Sequence, residues 1–287
     1  CGDDSPMPCD DHGHGTHTIG TVVGDDGGSN QIGMAPGARW IACRNMRHGL
    51  GTPGAYVTCM EFLLAPFPVE GDPFHDGDPA RGAHVVNNSW GFRDLPGECV
   101  AEYADDIQVL RAAGIAVVFS AGNGGPNTAT SVSPANNAGA FAVGGSDPLD
   151  EVMNSSSRGP AACDGSVFPV LVAPGDGVRT ADLTFGGLVP DAATEVIGTS
   201  FAAPYVAGIV ALLKAMDPDL TLGQARGVLM QIDDLTAASP LIKPDGERST
   251  AREWAKELDI FYAPSIVFFD ENGREIIVYQ EIDTDQI

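Results

Sequence analysis

The chain has 287 residues and 43% hydrophobic content, enough for one large domain with a small appendage around a real core. Acidic residues outnumber basic ones 39 to 15, a net charge of −24 that argues against neutralising a phosphate backbone and hence against nucleic acid as a partner. With 36 glycines and 21 prolines, the chain reads as rich in turns and loops, not as a helical bundle.

Residues 1–11 are polar and turn-rich, and they lead into His12-Gly-His-Gly-Thr-His17-Thr-Ile-Gly, whose small and apolar spacing predicts a short buried helix. Trp40-Ile-Ala-Cys43 reads as a strand, 56–65 as a helix, and 66–81 as a long loop dense in Pro, Gly and Asp. Ala83-His-Val-Val-Asn87 reads as a buried strand, 103–113 as a helix and Ile115-Ala-Val-Val-Phe119 as a second continuous apolar strand. Shorter apolar runs follow at 140–144 and 170–173. A strong helix covers 200–215 and stops at Pro218, and an amphipathic helix covers 222–231. Strands alternating with helices predict a parallel sheet with crossover helices, in which ligands bind beyond the carboxyl ends of the strands.

The character of the sequence changes after residue 236. Residues 237–248 read as a linker, 250–258 as a helix, and Ile266-Val-Phe-Phe269 with 275–279 as a hairpin around Asp270-Glu-Asn-Gly273. Cys1, Cys9, Cys43, Cys59, Cys99 and Cys163 contain no CxxC pair, which argues against a zinc cluster and leaves disulfides open. Cys1 with Cys9 would close a short loop. No run approaches the roughly 18 apolar residues of a membrane span, and the amino terminus lacks the basic and apolar regions of a signal peptide.

Gly198-Thr-Ser200-Phe-Ala-Ala-Pro-Tyr-Val-Ala-Gly208 puts a serine at a helix start, where the helix dipole favours developing negative charge and the backbone N–H is a free donor. Taken alone, Gly-Thr-Ser would be an ordinary cap. The eleven-residue pattern resembles the serine motif of the subtilisin-like serine peptidases, and Asp11-His-Gly-His14-Gly-Thr-His-Thr-Ile-Gly-Thr21 resembles their histidine motif. Ser120-Ala-Gly-Asn123-Gly-Gly resembles their oxyanion segment.

The resemblance implies a three-layer α/β subtilisin-like fold over 1–236, with a mostly parallel sheet and crossover helices. It implies Ser200 as nucleophile, His14 as general base and the Asn123 amide as an oxyanion donor. Ser89, Trp90 and Gly91, together with Ala121 and Gly122, would wall the primary specificity pocket. His12 and His17 would be non-catalytic. A metal site on His12, His14 and His17 would need a glutamate that the motif lacks. In this family an aspartate lies at the end of a hydrophobic strand before the histidine motif, and no such strand precedes His14 here. Asp3, Asp4, Asp10 and Asp11 are poor substitutes, so no catalytic aspartate is assigned in the chain.

The expected activity is that of a secreted, monomeric endopeptidase acting on proteins or peptides, with no cofactor in the chemistry, no nucleic acid and no membrane. Structural calcium would suit the acidic loops at 25–30 and 70–78. The other reading is a pseudopeptidase or peptide-binding module that keeps the cleft without turnover. Residues 249–287, with Pro264 as a cis-proline, resemble the second half of a thioredoxin-like domain, a small C-terminal α+β appendage. No CxxC precedes it, so no redox activity is inferred.

Overall fold

The computed structural model describes residues 9–25, 27, 32–68, 71–185, 188–189 and 192–233, and the short strand pieces at 240–242, 248–250, 268–269 and 275–276. In chain order the elements are helix α1 (His14–Val23), strands β1 (Met46–Arg47) and β2 (Leu50–Gly51), helix α2 (Pro53–Leu64) and a single 3₁₀ turn (Pro79–Arg81). Strand β3 (Val85–Asn88), helix α3 (Ala104–Ala112), and strands β4 (Ala116–Ser120), β5 (Phe141–Ser146), β6 (Leu171–Pro174), β7 (Val178–Ala181) and β8 (Ala193–Val196) follow. Helices α4 (Thr199–Met216) and α5 (Leu222–Asp233) precede four short strands, β9 (Pro240–Ile242), β10 (Arg248–Thr250), β11 (Phe268–Phe269) and β12 (Glu275–Ile276).

Strands β3, β4, β5 and β6 pair in parallel in that spatial order. Alternation along β4 divides the core between the two faces of the sheet. Ala116 and Val118 face one cluster with Ala202, Ala203, Val206 and Val210 of α4 and Leu229 of α5. Val117 and Phe119 face the other, with Tyr56 and Met60 of α2 and Tyr103, Ile107 and Leu110 of α3. All five residues of β4 are buried, which is why its sequence is an unbroken apolar run. The result is the expected three-layer α/β sandwich.

Helix α4 is, among the described residues, the one helix long and apolar enough to cross a membrane. Its apolar surface is consumed in the core instead, since Phe201, Ala202, Ala203, Val206, Ala207 and Val210 are all buried. Two disulfides between described residues staple loops to this frame: Cys43 to Cys59 of α2, and Cys99 to Cys163. The Cys1–Cys9 pairing involves a residue outside those described.

The structure departs from the expected elements at several places, among them the antiparallel pair of β7 and β8, which the pattern did not predict. Trp40-Ile-Ala-Cys43 is not a strand: among the described residues it has no neighbour to ladder with, and Trp40 and Ile41 are exposed. A strand exists only where its N–H and C=O groups find partners. A hairpin that the pattern did not predict, β1 with β2, turns on His48 (φ 47°) and Gly49 (φ 77°), two consecutive left-handed residues of the kind that two-residue hairpins need. Lastly, the 237–248 linker contains β9, which pairs antiparallel with β10 across a Pro-Asp-Gly sequence. Thr250, expected to open a helix, belongs to β10. Strands β11 and β12 form the expected hairpin, and β11 pairs with β6 at Phe268 and Leu171, so the hairpin extends the main sheet. The remainder of 249–287, Pro264 included, lies outside the described residues.

Candidate active site

Helix α1 starts at His14, and Gly13 before it adopts φ 89° and makes no side-chain cap. Asp10 does the capping from a distance. Its Oδ1 accepts the N–H groups of His12 (2.9 Å) and Gly13 (2.8 Å), and its Oδ2 accepts the N–H (2.7 Å) and hydroxyl (2.8 Å) of Thr16. Burial opposes ionisation of this carboxyl, but the four donors together outweigh it and hold the pKa down at about 2. The turn carrying His14 is therefore fixed by a carboxylate that stays charged. Burial, reinforced by the neighbouring His12 and His17, pushes the half-buried His14 imidazole below its ordinary value, and only Asp10 acts the other way.

Ser200 sits in the first turn of α4, where no intrahelical acceptor exists for its N–H. Its carbonyl would ordinarily accept the N–H of residue 204, but Pro204 has none. The hydroxyl of Ser89 fills the gap, donating to the Ser200 carbonyl across 2.7 Å. The proline in the serine motif and the serine after β3 are thus parts of one arrangement. The next residue, Phe201, packs its ring 5.5 Å from that of His14, which brings the histidine and serine motifs together.

Asn123 lies beyond the carboxyl end of β4. Its Oδ1 accepts the backbone N–H (3.0 Å) and hydroxyl (3.1 Å) of Thr199, the residue before Ser200. A backbone N–H can only donate, so the atom facing it must be the amide oxygen. The Nδ2 group is left as a donor without a partner among the described residues, next to the start of α4. Gly122, at φ 98°, occupies a left-handed position, and its N–H donates to the Thr199 hydroxyl (3.2 Å).

The expected pocket segments flank this point with unequal roles. Ser89 holds Ser200, as described. The Trp90 ring is buried and stacks on Tyr56 with centroids 3.8 Å apart, so its side chain belongs to the core. Gly91 and Gly122 both lie against Val132: a Cβ on Gly122 would come 2.7 Å from Val132 Cγ2, and one on Gly91 would come 2.9 Å from the Ser133 carbonyl oxygen. Bare backbone is what fits there. Ala121 is fully buried, and its N–H donates to Val143 of β5.

Among the described residues no carboxylate hydrogen-bonds to His14. Asp10 is committed to the cap, and Asp11 pairs with Arg44 and accepts the N–H of His48. Asp3 and Asp4 lie outside the described residues. In the acidic loops, the carboxylates of Asp25, Asp72 and Asp78 accept nearby backbone N–H groups. Among the described residues there is no group of three or more His, Cys, Asp or Glu placed to hold a metal. The orienting roles of Asp10 and Thr199 were not legible beforehand. The only signal was an acidic residue shortly before a helix start, which occurs in many loops.

A parallel α/β sheet carrying an imidazole, a serine hydroxyl and an oriented carboxamide at its carboxyl edge defines the class: an α/β protein with the parts of a nucleophilic serine site. The chain belongs to the Subtilase family, which it matches over residues 2–244. Bacillopeptidase F of Bacillus subtilis (strain 168) is 38% identical over 231 residues, covering 77% of this chain and 15% of that protein. Serine protease AprX of the same organism is 28% identical, covering 77% of this chain and 53% of that protein. Subtilisin BL of Lederbergia lenta is 31% identical over 225 residues, covering 78% and 71%. The chain thus spans only part of these relatives, about half of AprX and far less of Bacillopeptidase F. Among solved structures, S41 psychrophilic protease superposes with a TM-score of 0.64 at 22% identity, covering 83% of this chain and 75% of that one. Sphericase superposes at 0.63 and 23%, covering 79% and 71%. These likenesses show the fold.

Proposed function

We propose that the chain is the peptidase part of a serine endopeptidase that hydrolyses proteins through an acyl-enzyme. Ser200 attacks the scissile carbonyl carbon as His14 takes the hydroxyl proton. The tetrahedral oxyanion is met by Asn123 Nδ2 and the Ser200 N–H, and His14 returns the proton to the leaving amine. Water then repeats the sequence to release the acid. The observation that carries this reading is the pair of bonds from Thr199 to Asn123 Oδ1, which turn the amide's donor end outward beside the nucleophile. Extended substrate would lie along the bare backbone at Gly91 and Gly122.

The chemistry calls for no cofactor. Secretion is in keeping with the Cys43–Cys59 and Cys99–Cys163 disulfides, which persist in oxidising compartments. The absence of a carboxylate on His14 among the described residues favours a second reading, a cleft that binds peptides with little turnover. A fluorophosphonate probe separates the two. Labelling that disappears in Ser200→Ala, together with cleavage of an unfolded protein, supports the peptidase. Peptide binding with neither labelling nor cleavage supports the second reading and sinks the first.

A further inference from the structure

His14 is not the only imidazole aimed at the nucleophile's helix. His17, one turn further along α1, directs Nε2 to Asp182 Oδ1 at 3.0 Å, and the same oxygen accepts the N–H of Leu183 at 2.7 Å. Asp182 follows β7, against which α1 is tightly seated: the Thr180 hydroxyl donates to the His17 carbonyl (2.6 Å), and a Cβ on Gly20 would meet Thr180 and Ala181 at under 3 Å. Those contacts hold the middle of α1. The His17–Asp182 contact holds its first turn, where His14 projects.

Both imidazoles meet one ring. Phe201, adjacent to Ser200, lies with its centroid 5.5 Å from that of His14 and 6.1 Å from that of His17, with the planes tilted by 53° and 58°. A His17 ring that turned freely would leave Phe201 unsupported on one side, and the His14 ring would lose the surface that sets its orientation. The side chains of the pair are 19% and 36% exposed, so the ion pair contributes little to global stability. What it does fix is a direction.

We propose that His17 and Asp182 are a positioning pair for His14, acting through Phe201: the hydrogen bond locks the His17 ring, His17 backs Phe201, and Phe201 holds the His14 imidazole toward Ser200. This rests on the serine-peptidase reading above. The pair itself never touches substrate. The hydrogen bond is what matters, so a neutral acceptor at 182 or a neutral donor at 17 should serve.

The test uses four variants. Asp182→Ala and His17→Ala delete the bond from either side, so one of them remains usable if the other does not fold. Asp182→Asn and His17→Gln keep it. Each is scored by the rate of fluorophosphonate labelling at Ser200 and by the nuclear Overhauser contact between the His14 and Phe201 rings. The alanine variants should label roughly 10-fold more slowly, within the range that small misplacements of a reacting group cause, and should lose the ring contact. The Asn and Gln variants should stay within about threefold of the parent and keep the contact, as expected where geometry and not charge is being supplied. Alanine variants that label at the parental rate with the ring contact intact overturn the proposal, and so do Asn and Gln variants that fall as far as the alanines. If the parent itself never labels, the peptidase reading fails on its own, and the ring contact still decides whether the pair positions His14.

Discussion

Thr199 holds Asn123 by the oxygen: a backbone N–H at 3.0 Å and a hydroxyl at 3.1 Å both converge on Oδ1. Thr199 therefore fixes the amide with Nδ2 as its remaining donor, the end that the proposed mechanism turns toward substrate. Asn123→Ala should lower kcat by about 10²–10³, the cost found for the corresponding donor in subtilisin and carried over here. Asn123→Asp should do at least as badly, because an anion would face the developing oxyanion. Thr199→Val, which keeps the N–H bond and loses the hydroxyl, should cost less than Asn123→Ala. Equal losses in kcat for these two variants would refute the orienting role assigned to the N–H.

Ser89 and Pro204 should be energetically coupled, although 115 residues separate them in sequence. Ser89→Ala leaves the Ser200 carbonyl without the donor that Pro204 cannot supply, at a cost of about 1 kcal/mol in urea unfolding. In a Pro204→Ala background the new N–H can take that carbonyl within the helix, and the same serine substitution should then cost close to nothing. A Ser89→Ala penalty that is unchanged in both backgrounds would contradict the linkage.

Asp10 should give the fold an acid limb. Its carboxyl is held at about 2 in the folded chain against an ordinary 3.8, so the stability it contributes is fully present above about pH 4 and drains away as pH falls toward 2. Solvent around this half-buried group screens the effect to about 1–2 kcal/mol. Asp10→Asn places an NH₂ against one set of N–H donors. It should be less stable than the parent at neutral pH and should converge on it near pH 2. Parallel stability curves from pH 6 to pH 2 would rule the cap out as the source.

The buried parts of the fold were the most legible in the sequence. Ala116-Val-Val-Phe119 reads as a strand because every residue is inside, and the serine and asparagine motifs follow or precede such segments directly. Legibility fails where a local pattern depends on distant partners. Trp40-Ile-Ala has strand composition yet pairs with no strand among the described residues, and Trp40 and Ile41 are exposed. The β1–β2 hairpin depends on His48 accepting a left-handed conformation, which its residue type does not advertise. At the site, the residue types of Ser200, His14 and Asn123 were readable, whereas their supports were not. Thr199, Ser89, Asp10 and Asp182 act through hydrogen bonds, those of three of the four reaching another element, and no spacing rule encodes them.

The protonation of His14 should set the pH dependence of Ser200 reactivity. Burial first, and then the positive charge of His12 and His17, favours the neutral imidazole that can accept a proton, while Asp10 favours the charged one. The labelling rate should therefore rise with pH through a midpoint below the ordinary histidine value of 6.5. The ring of His12 lies 6.4 Å from that of His14, so His12→Asn removes a repelling charge and should move the midpoint upward. Asp10→Asn removes the attracting charge and should move it downward. The same two shifts should be readable in the His14 resonances by NMR titration whether or not the probe reacts. Shifts of one common sign in both variants would mean that rearrangement of the turn, and not the charges beside it, governs the imidazole.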